Sequence, residues 1–109
     1  MIGIGPGLGT SNQVIKNFKL IIDEVNYPIV VDADGLNILS KDKNLFEKLP
    51  KESILTPHIG EFKRIAGNFK NSNEKIKLQS RISKKYGINV LLKGPYTTMT
   101  DSKGDLYIN

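Results

Sequence analysis

The chain has 109 residues, 39% of them apolar and 25% charged, a balance that suits one small soluble domain with a genuine core. With no cysteine and one histidine, it offers no disulfide, no thiolate nucleophile and no structural zinc site. Its net charge of +5 suits anionic partners such as nucleotides, but no strand interleaves aromatic with basic residues, so nucleic acid is not an expected partner.

At the start, Met1-Ile2-Gly3-Ile4 lacks the basic and apolar regions of a secretory signal, and no apolar run nears the ~18 residues that span a bilayer. A cytoplasmic protein with no membrane partner is expected. The same stub reads as part of a strand running into Gly5-Pro6-Gly7-Leu8-Gly9. Glycines between a strand and a helix let a ligand approach the backbone, and the helix amides attract an anion. The absence of Gly-Lys-Ser/Thr excludes a P-loop, and the glycine spacing does not fit the dinucleotide fingerprint. A plain tight turn explains the segment equally well. Residues 12–25 then space Val14, Phe18, Ile21, Ile22 and Val25 as a helix, with Ser11 as its cap.

Pro28 precedes Ile29-Val30-Val31, an apolar run of the kind found in buried parallel strands. Asp32-Ala33-Asp34-Gly35-Leu36-Asn37 follows, placing two carboxylates and an amide at a strand's carboxyl end, where open α/β sheets bind ligands. The structural alternative has Asp34 capping the next helix and Asp32 tied to backbone N–H groups. Ser53-Ile54-Leu55 reads as a second strand. Thr56 reads as the cap of a helix with Pro57 at its first position, burying Ile59, Phe62, Ile65 and Ala66 before a stop near Gly67. His58 and Glu61 fall one turn apart on that helix, either as site residues or as a surface histidine with an acid near the positive helix end.

Asn71 with Glu74 resembles a capping box, Leu78, Ile82 and Tyr86 form an inward stripe, and Gly87 supplies the stop. Lys75, Lys77, Arg81, Lys84 and Lys85 fit a solvated face of the same helix. Residues 88–92 form a third buried-strand candidate, ended by Lys93-Gly94-Pro95-Tyr96-Thr97. Lys93 can reach phosphate oxygens as a point charge, or it is an incidental lysine in a turn. Residues 97–100 and 105–108 read as a hairpin around 101–104. Strands alternating with helices indicate an α/β fold, and a parallel sheet would gather all four motifs on one rim. The abrupt strands at both ends read as a piece of a larger domain.

In this order (GPGLG at 5–9, DADGLN at 32–37, LTPHIGE at 55–61, KGPYT at 93–97) the motifs resemble those of the ADP/ATP-dependent NAD(P)H-hydrate dehydratases. These are ribokinase-like proteins, often fused to an epimerase domain. Gly35 stands where the family has alanine and Ile59 where it has proline; neither change removes a functional side chain.

The resemblance implies a ribokinase-like, Rossmann-like three-layer α/β sandwich, with residues 1–109 its central part. It implies repair of hydrated NADH or NADPH: a nucleotide phosphorylates the hydroxyl of the hydrate, and phosphate loss restores the double bond. Gly7, Gly9 and His58 would meet the hydrated substrate, and Lys93, Gly94, Pro95, Tyr96 and Thr97 the phosphates of ADP or ATP. Asp32, Asp34, Asn37 and Glu61 would organise Mg2+ and water. The parent protein would be a homo-oligomer, fused to or working with an NAD(P)H-hydrate epimerase. Further amino-terminal strands and a GxGD loop beyond Asn109 are implied as well, the aspartate of that loop activating the hydroxyl. Loss of a general base costs roughly 10²–10⁴ in rate, so residues 1–109 alone are expected to be inactive. Another ribokinase-like small-molecule kinase and a non-catalytic nucleotide-binding remnant are the alternatives.

Overall fold

Short β-branched runs, each followed by a helix, lay the strands side by side in chain order. In the computed structural model, which describes residues 2–4 and 12–108, β1 (Ile2–Ile4), β2 (Ile29–Val31), β3 (Ile54–Leu55) and β4 (Asn89–Leu92) are parallel neighbours. The sheet continues antiparallel through β5 (Thr98–Thr100) and β6 (Leu106–Ile108). The glycine motif with Gly7 and Gly9, and the Ser11 cap, lie outside the described residues.

The connections are α1 (Asn12–Glu24), α2 (Ala33–Lys41), and the pair α3 (Ile59–Ala66) and α4 (Ser72–Tyr86). Right-handed crossovers between adjacent parallel strands carry such helices to one face of the sheet. Val31, Leu55 and Val90 stand in one register row on that face and are buried against Phe18, Ile22, Leu36 and Leu39. Val30 with Ile54, and Leu91 with Met99, are register partners of intermediate exposure. No helix among the described residues is long and apolar enough to cross a membrane.

Two expectations change. Helix α3 begins two residues later than the Thr56 cap predicts, because the chain stays strand-like through Pro57. The Thr56 N–H donates to the Val31 carbonyl at 3.1 Å, and the Pro57 carbonyl accepts from Lys93 N–H at 2.9 Å. On α4 the buried side chains are Gln79 and Ser83, while Leu78, Ile82 and Tyr86 are half-buried. The cause is β5, which presents two hydroxyls, Thr98 and Thr100, that need polar partners. Residues 43–48, to which the sequence assigns no element, form a 3-10 segment that buries Leu45 and Phe46, and Phe46 stacks on Tyr86 at 5.1 Å.

Candidate functional site

Three strand ends deliver the charged side chains of the rim. Directly after β2, Asp32 caps α2, its Oδ1 accepting from Ala33 N–H at 2.8 Å. Ala33 itself takes φ +44, a left-handed value uncommon outside glycine. Asp34 lies in the first turn of α2 and is half-buried. One turn on, the Asn37 Oδ1 accepts from Arg64 Nη1 at 3.0 Å, tying α2 to α3.

After β3, His58 caps α3 in a reciprocal box. Its Nδ1 accepts from Glu61 N–H at 3.3 Å, and the Glu61 carboxylate accepts from His58 N–H at 3.0 Å. Because Nδ1 is an acceptor, the proton of the neutral ring sits on Nε2, 3.6 Å from Glu61 Oε2. The Glu61 side chain is 9% exposed and that of His58 57%, so the imidazole is the part of this pair offered to solvent.

After β4 comes Lys93. Its backbone bridges in parallel to His58, and its Nζ lies 3.5 Å from Asp32 Oδ1. Partial burial pushes the Asp32 carboxyl upward, but the Ala33 N–H, the Thr56 hydroxyl and the Lys93 ammonium outweigh it and hold its pKa below the ordinary value. Gly94, Pro95 and Tyr96 then run out exposed, and Thr97 returns half-buried to β5.

The structure thus brings together Asp32, His58 and Lys93, with Thr56 between them as a hydroxyl that the motif reading missed. Its signal was simple: it is the first polar residue after a buried strand, on the same rim as the other three. Of the set expected to organise Mg2+, Asp32 and Asp34 lie at the start of α2, Asn37 one turn on and Glu61 in the first turn of α3. Among the described residues no three His, Asp or Glu side chains gather around a cation position. Asp32 is committed to Lys93, Glu61 to the α3 cap and Asn37 to Arg64. A cleft of about 200 Å³ bordered by Phe46, Ile65, Ile82 and Tyr86 lies among the helices and contains none of the motif residues.

The arrangement can do three things. A lysine at a strand end supplies a positive charge to a phosphate. A neighbouring carboxylate orients that lysine. An exposed imidazole, held by Glu61 at both ring nitrogens, offers its ring face and edge to a bound molecule.

Over residues 1–109 the chain matches the family described as NAD(P)H-hydrate dehydratase. It is 35% identical over 106 residues to a bifunctional NAD(P)H-hydrate repair enzyme of Mycobacterium tuberculosis, covering 97% of this chain and 22% of that protein. It is 34% identical over 112 residues to an ADP-dependent (S)-NAD(P)H-hydrate dehydratase of Neisseria meningitidis, covering 97% of this chain and 38% of that one. An ADP/ATP-dependent NAD(P)H-hydrate dehydratase from Bacillus subtilis, co-crystallised with ATP/Mg2+, superposes with a TM-score of 0.74 at 28% identity, covering 98% of this chain and 37% of that one. A ribokinase-like protein of Enterococcus faecalis superposes with a TM-score of 0.80 at 22% identity, covering 99% and 38% of the two chains, and shares the fold. The chain therefore spans between 22% and 38% of the length of these relatives.

Proposed function

The chain belongs to the NAD(P)H-hydrate dehydratase family, and from that premise we propose that it serves the nucleotide-dependent return of hydrated NADH or NADPH to its reduced form. Residues 1–109 are read as the central part of a ribokinase-like domain, carrying the nucleotide phosphate segment and one wall of the substrate site. The observation that carries this reading is the convergence of Asp32, His58 and Lys93 from three strand ends.

In the proposed reaction, the hydroxyl oxygen of the hydrate attacks the terminal phosphorus of ADP or ATP, releasing AMP or ADP. The attack forms a phosphorus–oxygen bond, and the hydrate's own carbon–oxygen bond, now ending in a phosphoryl group, then breaks. Inorganic phosphate leaves, a proton departs from the adjacent ring carbon, and the double bond is restored. Lys93 stabilises charge on the transferring phosphoryl group, with Gly94, Pro95, Tyr96 and Thr97 following around the phosphates. Asp32 keeps the Lys93 ammonium on the rim. His58, with Gly7 and Gly9, meets the hydrate through its exposed imidazole. Asp34 stands beside this rim in the first turn of α2. The 109 residues contain no Gly-x-Gly-Asp sequence, so the general base of the hydroxyl is not assigned to them. An epimerase working alongside and a homo-oligomeric parent belong to the same proposal.

The test has two parts. Calorimetry of residues 1–109 with ADP is expected to show binding that Lys93→Met weakens; no binding to ADP or ATP overturns the nucleotide reading. Incubation with ADP or ATP and hydrated NADH is expected to leave the absorbance of reduced nicotinamide unrestored. Turnover matching a full-length relative would overturn the expected inactivity of the isolated segment, and accumulation of a phosphorylated product would point to a kinase.

A further inference from the structure

A helix lying on a sheet ordinarily buries an apolar stripe, yet on α4 the two fully buried side chains are polar, while Ile82 and Tyr86 pack half-buried against the core. Gln79 and Ser83 are completely buried there, and β5 meets them with Thr98 and Thr100, both buried. Buried polar groups are tolerated when each is bonded, and these are. Gln79 Nε2 donates to the Val90 carbonyl at 3.0 Å and to the Thr98 carbonyl at 3.1 Å. The Thr98 hydroxyl donates to Gln79 Oε1 at 3.0 Å, and the Ser83 and Thr100 hydroxyls lie 2.6 Å apart.

The two carbonyls held by Gln79 flank one segment. Val90 is the second residue of β4, in register with Thr100, and Thr98 opens β5, in register with Leu92. The Thr98 acceptor therefore sits at the stem from which residues 93–97 project, and the Val90 acceptor two residues further down β4, so one amide ties the start of β5 to the adjoining strand. The first residue of that segment has its own anchors, the Pro57 carbonyl and the Asp32 carboxylate. Its far end enters the sheet at Thr98, where Gln79 makes two of its three side-chain bonds. An apolar side chain at this position would pack without fixing where β5 sits along β4. One amide bonded to a carbonyl on each strand does fix it.

We propose that Gln79 is a positioning residue for residues 93–97, setting the geometry in which that segment meets a nucleotide phosphate. The proposal rests on the reading of that segment given under the proposed function.

The test compares Gln79→Met, which keeps the length of the side chain and removes its hydrogen bonds, with Ser83→Ala at equal depth in the same seam. For Gln79→Met, ADP affinity by calorimetry is expected to fall at least tenfold. Amide hydrogen exchange at residues 93–98 is expected to quicken at least tenfold, with β2 and β3 unchanged. Ser83→Ala is expected to lower the melting temperature while leaving ADP affinity and exchange at 93–98 within twofold of the parent. Equal losses of affinity in the two variants, or unchanged exchange at 93–98 in Gln79→Met, would overturn the proposal. Should Gln79→Met not fold, Thr98→Val removes only the hydroxyl that meets Gln79, and a threefold or greater change in both readouts is then required. If the parent chain itself does not bind ADP, the nucleotide reading fails, whereas the exchange comparison still decides whether Gln79 holds the segment.

Discussion

Lys93 Nζ and Asp32 Oδ1 lie 3.5 Å apart although 61 positions separate them in the chain, because their strands end at the same rim with only β3 between them. The carboxylate is one-third exposed, so the pair contributes under about 1 kcal/mol to stability. The pKa of Asp32 is depressed in the folded chain. Its contribution is therefore present above the unfolded carboxylate value and fades as pH falls through the lower, folded one. Asp32→Asn should be slightly less stable than the parent at pH 7, and the two should converge in acid. Urea melts at pH 7 and at pH 3 measure the difference; a gap of equal size at both would contradict it.

Removing the charge of Lys93 should affect binding more than folding. A hydrogen bond to a charged group is worth about 1.5–3 kcal/mol, so Lys93→Met should weaken ADP binding roughly tenfold to a hundredfold. Its urea midpoint should move little, since the lysine side chain is 46% exposed and its backbone bridge is untouched. Equal ADP affinity in parent and variant would remove Lys93 from the phosphate site.

At His58, stability and site chemistry can be separated. His58→Ala deletes the acceptor for Glu61 N–H, and losing such a cap costs about 0.5–2 kcal/mol. His58→Asn restores a good capping side chain without the imidazole. Thermal melts should therefore rank parent and Asn together above Ala. Substrate binding, measured in a full-length dehydratase carrying the same changes, should be impaired in both. An Asn variant as unstable as Ala would show that the ring does more for α3 than cap it.

The stop of α4 makes a backbone prediction. Gly87 caps the helix at φ +67, and an added Cβ would meet the Lys51 side chain at 2.7 Å. The lysine tip can move aside, but its bond from Nζ to the Tyr86 carbonyl would be disturbed, and the left-handed backbone remains unfavourable for alanine. Gly87→Ala should cost about 1–2 kcal/mol in denaturant melts. No measurable loss would mean that the turn relaxes.

Much of this architecture can be read from residue order alone. The Ile29–Val31 triplet and the 88–92 run are apolar stretches too short for helices, and both form parallel strands. Asn71, Gly67 and Gly87 punctuate helices where their chemistry predicts. The convergence of Asp32, His58 and Lys93 follows from placing each motif after a strand. What escaped is tertiary in origin. Histidine is not among the usual capping residues, and Thr56 followed by Pro57 is a standard helix start; only pairing with Val31 and Lys93 keeps those two residues extended. The burial of Gln79 in preference to Leu78 depends on the threonines of β5, which no periodicity within α4 reveals.

Because, among the described residues, each strand from β2 onward pairs with the one that immediately precedes it in the chain, this part of the sheet can grow by successive addition. None of the described strands must wait for a later segment to slot between it and its predecessor, so loop-closure entropy is met in small instalments. Such an ordering suits folding during synthesis, each newly emerged hairpin or crossover unit docking on an edge that is already formed.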